Sequence, residues 1–166
     1  MSGSRRILVV GGTALAVWGM AYGLWYAVAA EHQALNGIGT SLSDGFAAAA
    51  ERKPAAMDAA LAEYHEAKYV YDRQVDVHSH WIGLAMLLIV VGIGFDRVGL
   101  AERWRVVLAA ALLIGAMVFP LGVLMQTWSH GVMPRGIAIL GSALVIGGLG
   151  VSAFGVVVGS RKQADL

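Results

Sequence analysis

The stretch Val106–Pro134, VVLAAALLIGAMVFPLGVLMQTWSHGVMP, contains no Asp, Glu, Lys or Arg in 29 residues. Three further uncharged runs cover residues 7–30, 77–95 and 136–160, with lengths of 24, 19 and 25 residues. About 20 mostly apolar residues are enough for a helix to cross the hydrocarbon core of a bilayer. Four such runs in one chain of 166 residues predict an all-α integral membrane four-helix bundle.

The composition excludes several other classes of protein. Hydrophobic residues make up 58% of the chain and charged residues only 14%, whereas soluble domains carry about 25% charged residues. A soluble enzyme and a disordered chain are therefore excluded. With a net charge of only +1, the chain lacks the excess of basic residues that is typical of proteins that bind nucleic acid. Because there are no cysteines, disulfides, thiolate ligands, iron–sulfur clusters and covalently attached c-type haem are excluded as well.

The basic residues indicate how the chain is oriented. Seven of the twelve lie in three short segments beside the uncharged runs, namely Arg5, Arg6, Arg97, Arg103, Arg105, Arg161 and Lys162. Basic residues in short loops stay on the cytoplasmic side. We therefore expect a multi-pass protein of the cell (inner) membrane with both termini in the cytoplasm. The alternative is a cleaved signal peptide at the N-terminus; we expect a retained helix instead, because the apolar run over residues 7–30 is longer than that of a signal peptide.

The expected organisation is a single membrane domain. Its spans cover about 7–30, 77–96, 104–129 and 134–160, and an extramembrane helical hairpin, about 31–76, lies outside between the first two spans. We expect Asn36, Gly37 and Gly39 to break the helix of the first span, and Pro54 to start the second arm of the hairpin. From Pro54 to Phe95 there is no further proline and no glycine before Gly83, which predicts one helix of about 60 Å.

Small residues at helical spacing predict where helices meet. The first span carries Gly12, Ala16, Gly19 and Gly23 on one face, and the fourth span has similar residues, namely Gly141, Ser142, Gly147, Gly148 and Ser152. Small side chains allow the backbones of membrane helices to approach closely. Both spans are therefore expected to pack against neighbouring helices.

All five histidines fall on the outer side of this topology: His32, His65, His78, His80 and His130. An antiparallel hairpin about residue 100 places position 78 level with about 122 and position 130 level with about 70. Matching Arg6 to about residue 98 places His32 level with about 72. Two imidazoles from different helices can hold a b-type haem, and His32 with His130 meets this requirement of equal depth.

One helical stripe connects the hairpin to the second span, and it consists of His65, Tyr69, Asp72, Asp76 and His80 at spacings of four, three, four and four. It is expected to face the bundle or a water-filled mouth. Asp76 and His80 could form a carboxylate–imidazole pair that increases the basicity of a metal ligand. His78 and His80 point about 200° apart, so they cannot chelate one ion unless the helix unwinds.

The first functional hypothesis is a membrane subunit with a redox cofactor or metal at its outer face, serving electron transfer. The candidate cofactor is haem b or a transition metal such as copper, iron or zinc. The predicted cofactor-binding residues are His32, His65, His80, His130, Tyr69 and Gln126. The predicted metal ligands are His80, His130, His32, His65, Asp72 and Asp76. A quinone head group could bind near Tyr64, Tyr69, Tyr71, Gln126 and Trp81.

The second hypothesis is a structural or assembly subunit without its own cofactor. Its partners would be the lipid bilayer and either another membrane protein or further copies of the chain. A transporter or channel is a weaker alternative, because no charged residue lies in the core of a span. The sequence contains no Walker, Gly-x-Ser-x-Gly or His-Glu-x-x-His motif. We therefore expect a non-catalytic or electron-transfer subunit.

Overall fold

Four helices form the described part of the chain. The computed structural model describes the backbone of residues 1–164 and the side chains of residues 1–159. The helices are α1 (Gly3–Ala50), α2 (Pro54–Gly94), α3 (Glu102–Met125) and α4 (Val132–Ala164). All four are long and apolar enough to cross a membrane. The prediction of an all-α fold with four such helices is confirmed; the side chains of Arg161 and Lys162 lie outside those described.

Helix α1 does not break where the sequence predicted. It is α-helical over Gly3–Trp25, makes a π-helical turn over Tyr26–Ala30 and is α-helical again over Glu31–Ala50. The prediction that Asn36, Gly37 and Gly39 end the helix is therefore wrong. Each glycine costs a helix only about 1 kcal/mol, and packing of this segment against α2, which buries Ser41 and Ala48, opposes that cost.

Helix α2 forms as predicted, with Pro54 in its first turn and no interruption before Gly94. Its 41 residues span about 60 Å. The turn before α2 contains Arg52 in the left-handed region, with φ of 58°, which reverses the chain after α1. The N-terminal half of α2 packs on the C-terminal part of α1, so residues 31–76 form a two-helix hairpin.

Glycines fix the contact between α1 and α2. A Cβ on Gly12 would lie 3.0 Å from the carbonyl oxygen of Ala85, and one on Gly19 would lie 3.0 Å from the Cβ of Trp81. Close backbone approach of this kind gives membrane helices their packing contacts. The predicted packing role is confirmed for Gly12 and Gly19 on α1 and for Gly141 and Gly148 on α4, but Gly147 is exposed and contacts no neighbouring helix among the described residues. Helix α3 packs on both α1 and α2, and α4 packs mainly on α3.

A polar network closes the end of the bundle where α1 begins. The backbone N–H of Ser4 donates to Glu102 Oε1 at 3.0 Å, and Arg105 Nη2 lies 2.9 Å from Glu102 Oε2. The hydrogen bond from Ser4 is the main reason that the pKa of Glu102 is lowered, because it favours the carboxylate. Glu102 thus connects the first turn of α1 to the first turn of α3.

Candidate functional site

The turn between α3 and α4 meets the hairpin through a group that we call the outer polar cluster, formed by Glu66, Tyr69, Arg73, Gln126 and His130. His130 Nε2 lies 3.5 Å from Glu66 Oε2, and its ring centroid lies 4.8 Å from that of Tyr69. The Tyr69 hydroxyl donates to Gln126 Oε1 at 3.2 Å. The cluster therefore connects the base of the hairpin to the C-terminal end of α3.

Gln126 and Arg73 both contact Tyr69, one at its hydroxyl group and the other at its ring. Gln126 is buried, and its Nε2 donates to the carbonyl oxygen of Gly122 at 3.3 Å. The guanidinium carbon of Arg73 lies 5.0 Å from the centre of the Tyr69 ring, a cation–π contact of roughly 0.5–1 kcal/mol at an exposed site. The level predicted for residue 130, near residue 70, is confirmed by its contact with Tyr69.

The cluster offers few ligands for a metal. His130 Nε2 and Glu66 Oε2 are two donors that already face each other, whereas a structural zinc site takes four. Among the side chains described, residues 1–159, no three His, Asp or Glu residues are arranged so that they could hold one ion. The predicted ligands lie on several different surfaces of the protein.

His80 faces α3, as the stripe of α2 predicted. Its ring lies edge-on to Phe119 with centroids 4.7 Å apart, as expected if position 78 lies level with about 122. Its Nδ1 lies 2.6 Å from the carbonyl oxygen of Asp76, not from the carboxylate. That carboxylate pairs with Arg73 Nη1 at 3.1 Å. The predicted Asp76–His80 carboxylate–imidazole pair is therefore wrong, because Arg73 on the preceding turn takes the carboxylate.

His78 points to a different neighbour. Its Nδ1 lies 3.0 Å from the carbonyl oxygen of Gly19 on α1, and its ring occupies the space that a Cβ on Gly23 would need. The helix continues without unwinding through this region. The prediction that His78 and His80 point in different directions is confirmed.

His32 and His65 are both exposed on the hairpin. His32 Nε2 lies 3.2 Å from Asn36 Nδ2, and the His65 ring lies 5.6 Å from that of Tyr64. The rings of Tyr26 and Tyr71 face each other with centroids 6.4 Å apart. The level predicted for His32, near residue 72, stays a prediction.

The remaining predicted residues have separate partners. Lys68 Nζ lies 2.7 Å from Asp72 Oδ2, and this hydrogen bond raises the pKa of Lys68. Of the aromatic residues proposed around a quinone, Tyr71 faces Tyr26 on α1, and Trp81 borders an apolar cavity of about 410 Å³ between α1 and α3. Tyr69 and Gln126 remain together in the outer polar cluster.

The sequence analysis missed an apolar groove on the hairpin. The groove has a volume of about 250 Å³, and its lining contains no charged residue: Ser41, Leu42, Gly45, Phe46, Ala49, Met57, Leu61 and Tyr64. Phe46 is 70% exposed at its edge. The spacing of four between Leu42 and Phe46, and between Met57 and Leu61, is the signal in the sequence that could have revealed it.

Comparison of the chain with protein-family models, with curated proteins and with solved structures finds no match.

Proposed function

We propose that this protein is a structural subunit of a larger membrane assembly and that its outer hairpin is a docking arm. In this proposal the four helices span the cell membrane, both termini are cytoplasmic and residues 31–76 stand outside. The basic residues of the short loops support this orientation. The apolar lengths of the four helices support the spanning arrangement.

The observation that carries the proposal is the groove on the hairpin. In the proposed topology it lies outside the hydrocarbon core, so lipid cannot cover Leu42, Phe46 and Leu61. All three are exposed. An apolar patch that is left open to water is typical of a surface that binds another protein. A helical partner would bury these side chains at about 25 cal/mol per Å² of apolar surface removed from water.

Contacts at the base of the hairpin suit a rigid arm. Ion pairs along α2 join Lys68 to Asp72 and Arg73 to Asp76. The outer polar cluster attaches the same helix to α3 through Tyr69 and Gln126. Exposed pairs contribute only about 0–1 kcal/mol each, but several contacts from two elements fix the direction of the arm. A partner would therefore meet a preformed surface.

A charge placed on the groove tests this proposal. In the full-length protein extracted from its native membrane with mild detergent, Phe46→Asp is expected to decrease the size of the assembly on a native gel. The reason is that a carboxylate would have to be desolvated in the interface. Ala47→Asp is the matched control because Ala47 is exposed and does not line the groove. An unchanged assembly in Phe46→Asp, with intact helical content, would contradict the proposal.

The second candidate function is a redox or metal subunit at the outer face, binding haem b or copper, iron or zinc for electron transfer. The observation that favours it is the convergence of His130, Glu66, Tyr69 and Gln126 at the mouth of the bundle. His32, His65 and His80 are the further candidate ligands. A quinone near Tyr69 and Gln126 belongs to the same proposal.

Spectroscopy distinguishes this candidate from the structural one. If a b-type haem is bound, the reduced-minus-oxidised difference spectrum of the purified protein shows its α-band. His130→Ala and His80→Ala are expected to remove that band, and His78→Ala, whose ring faces α1, is expected to retain more of it. A preparation that is colourless and metal-free by elemental analysis would contradict this function. Equal retention in all three variants would contradict the ligand assignment.

A further inference from the structure

A second apolar groove lies between α3 and α4, at the end of the bundle where α1 begins. Its volume is about 420 Å³, and its lining contains no charged residue: Leu100, Trp104, Val107, Leu108, Ala111 and Val151. From Trp104 to Ala111 the groove follows α3 for about 10 Å. Trp104 and Val107 are more than half exposed, with values of 56% and 57%. In the proposed topology this groove therefore opens sideways to lipid on the cytoplasmic side of the membrane.

An arginine lies at the end of this groove that is nearest to the cytoplasm. The guanidinium carbon of Arg103 is 5.7 Å from the centre of the Trp104 ring, and Arg103 is exposed. Tryptophan at the boundary of a membrane protein is typical of the level of the lipid head groups. The positive charge of Arg103 therefore lies where the phosphate of a lipid is expected, and the apolar lining continues from it toward the hydrocarbon core.

The charge of Arg103 is not balanced within the described part of the chain. The carboxylates nearest to it in sequence belong to Asp96 and Glu102, and both have other partners. Arg105 Nη2 lies 2.9 Å from Glu102 Oε2, and Arg5 Nη1 lies 3.6 Å from Asp96 Oδ2. Among the side chains of residues 1–159, no carboxylate pairs with Arg103. Its guanidinium is therefore available to an anion from outside the chain.

Charge distinguishes a lipid from a protein as the occupant of this groove. The cytoplasmic leaflet carries anionic lipids, which attract basic residues near its surface. Membrane helices, in contrast, carry an excess of basic residues of their own at this level. A second copy of this chain would bring its own Arg103 toward the first, and like charges repel each other across an interface. Charge complementarity therefore favours an anionic lipid over a neighbouring helix.

We infer that the groove between α3 and α4 binds an acyl chain of an anionic phospholipid whose phosphate pairs with Arg103. A guanidinium can donate two parallel hydrogen bonds to a phosphate, and the acyl chain packs against Val107, Ala111 and Val151. A zwitterionic phospholipid carries a cation beside its phosphate, so it is attracted less. This inference goes beyond the docking arm, because it concerns the opposite end of the bundle, and it shares with that proposal only the spanning arrangement.

Native mass spectrometry of the full-length protein in mild detergent tests the head group. The probes are phosphatidylglycerol and phosphatidylcholine with identical oleoyl chains. The wild-type protein is expected to bind phosphatidylglycerol about fivefold more tightly, which is the preference that one basic residue near the surface provides. Arg103→Gln is expected to abolish this preference. Arg135→Gln is the matched control, because Arg135 is also exposed but lies in the first turn of α4, at the opposite end of the bundle.

A bulky side chain in the groove tests the position of the acyl chain. Val107→Trp is expected to lower the affinity for phosphatidylglycerol several-fold, because the indole takes the space of the acyl chain. Ile114→Trp is the matched control: Ile114 is 52% exposed, lies about two turns further along α3 and does not line the groove. Circular dichroism checks that both variants retain their helical content.

Three results would overturn the lipid site. The first is equal affinity of the wild-type protein for the two lipids. The second is an equal loss of phosphatidylglycerol binding in Arg103→Gln and Arg135→Gln, because the attraction would then depend on net charge and not on this position. The third is equal binding by Val107→Trp and Ile114→Trp, because the groove would then hold no acyl chain. None of these measurements involves the hairpin, so the docking function is tested separately by Phe46→Asp.

Discussion

Replacing Gly141 with alanine is expected to lower the free energy of unfolding by roughly 2–3 kcal/mol, at the upper end of the usual cost of overpacking. A Cβ at this position would overlap the backbone nitrogen of Phe119 on α3. Backbone atoms cannot move aside as the end of a flexible side chain can, so the two helices must separate along their contact. The measurement is a titration of the purified protein from mild detergent into sodium dodecyl sulfate, followed by circular dichroism.

Gly147→Ala on the same helix is the matched control. Among the residues that the structure describes, no atom outside the adjoining turns of the same helix lies within 4 Å of a Cβ built there, so the methyl group meets no other helix. Alanine also forms a helix more readily than glycine, by about 1 kcal/mol. Gly147→Ala is therefore expected to be neutral or slightly stabilising. Equal destabilisation of the two variants would show that intrinsic glycine preference, and not contact with α3, determines stability here.

The heights of residues along α2 and α3 could be predicted from the sequence. The turn between these helices is short, and each residue adds a constant rise, so counting outward from it gives the facing positions. His80 meets Phe119, and His130 meets Tyr69. The match of Arg6 to about residue 98 was less accurate, because Leu8 packs against Gly92, which places Arg6 level with about residue 94.

The continuity of α1 could not be predicted from local sequence. Asn36, Gly37 and Gly39 are poor helix residues, and a local reading predicts a break there. The helix continues because its far side packs against a segment of α2, where Gly45 would place a Cβ 3.7 Å from that of Ala60. This contact joins residues that are distant in sequence. The groove was missed for the same reason, because it exists only when α1 extends to face Met57 and Leu61.

The partner of the Asp76 carboxylate could not be predicted from the sequence for another reason. Arg73 precedes Asp76 by three residues and His80 follows it by four, and both spacings bring side chains together on a helix. The charged guanidinium pairs with the carboxylate, while the imidazole lies against the backbone carbonyl of Asp76. Spacing alone permits both pairs, so the choice between them depends on charge and rotamer.

Trp81→Ala is expected to lower the free energy of unfolding by roughly 3 kcal/mol, near the lower end of the range for tryptophan truncation in a packed core. Trp81 is 2% exposed, and its ring makes edge contacts with those of Trp18 and Tyr22, at centroid distances of 6.0 and 5.1 Å. Between helices in lipid the loss is mainly one of van der Waals contact. The same detergent titration measures this loss.

Trp18→Ala is the matched control, because it removes an indole ring that is exposed, whereas Trp81→Ala removes one that is buried. Trp18 touches the same ring but is 58% exposed, so its truncation leaves space that lipid or detergent can fill, and the expected cost is below about 1 kcal/mol. Because Trp81 joins α2 to α1 at the level where the hairpin leaves the bundle, its loss is also expected to loosen the arm. Equal stability of the two tryptophan variants would show that contact between α1 and α2 does not depend on this ring.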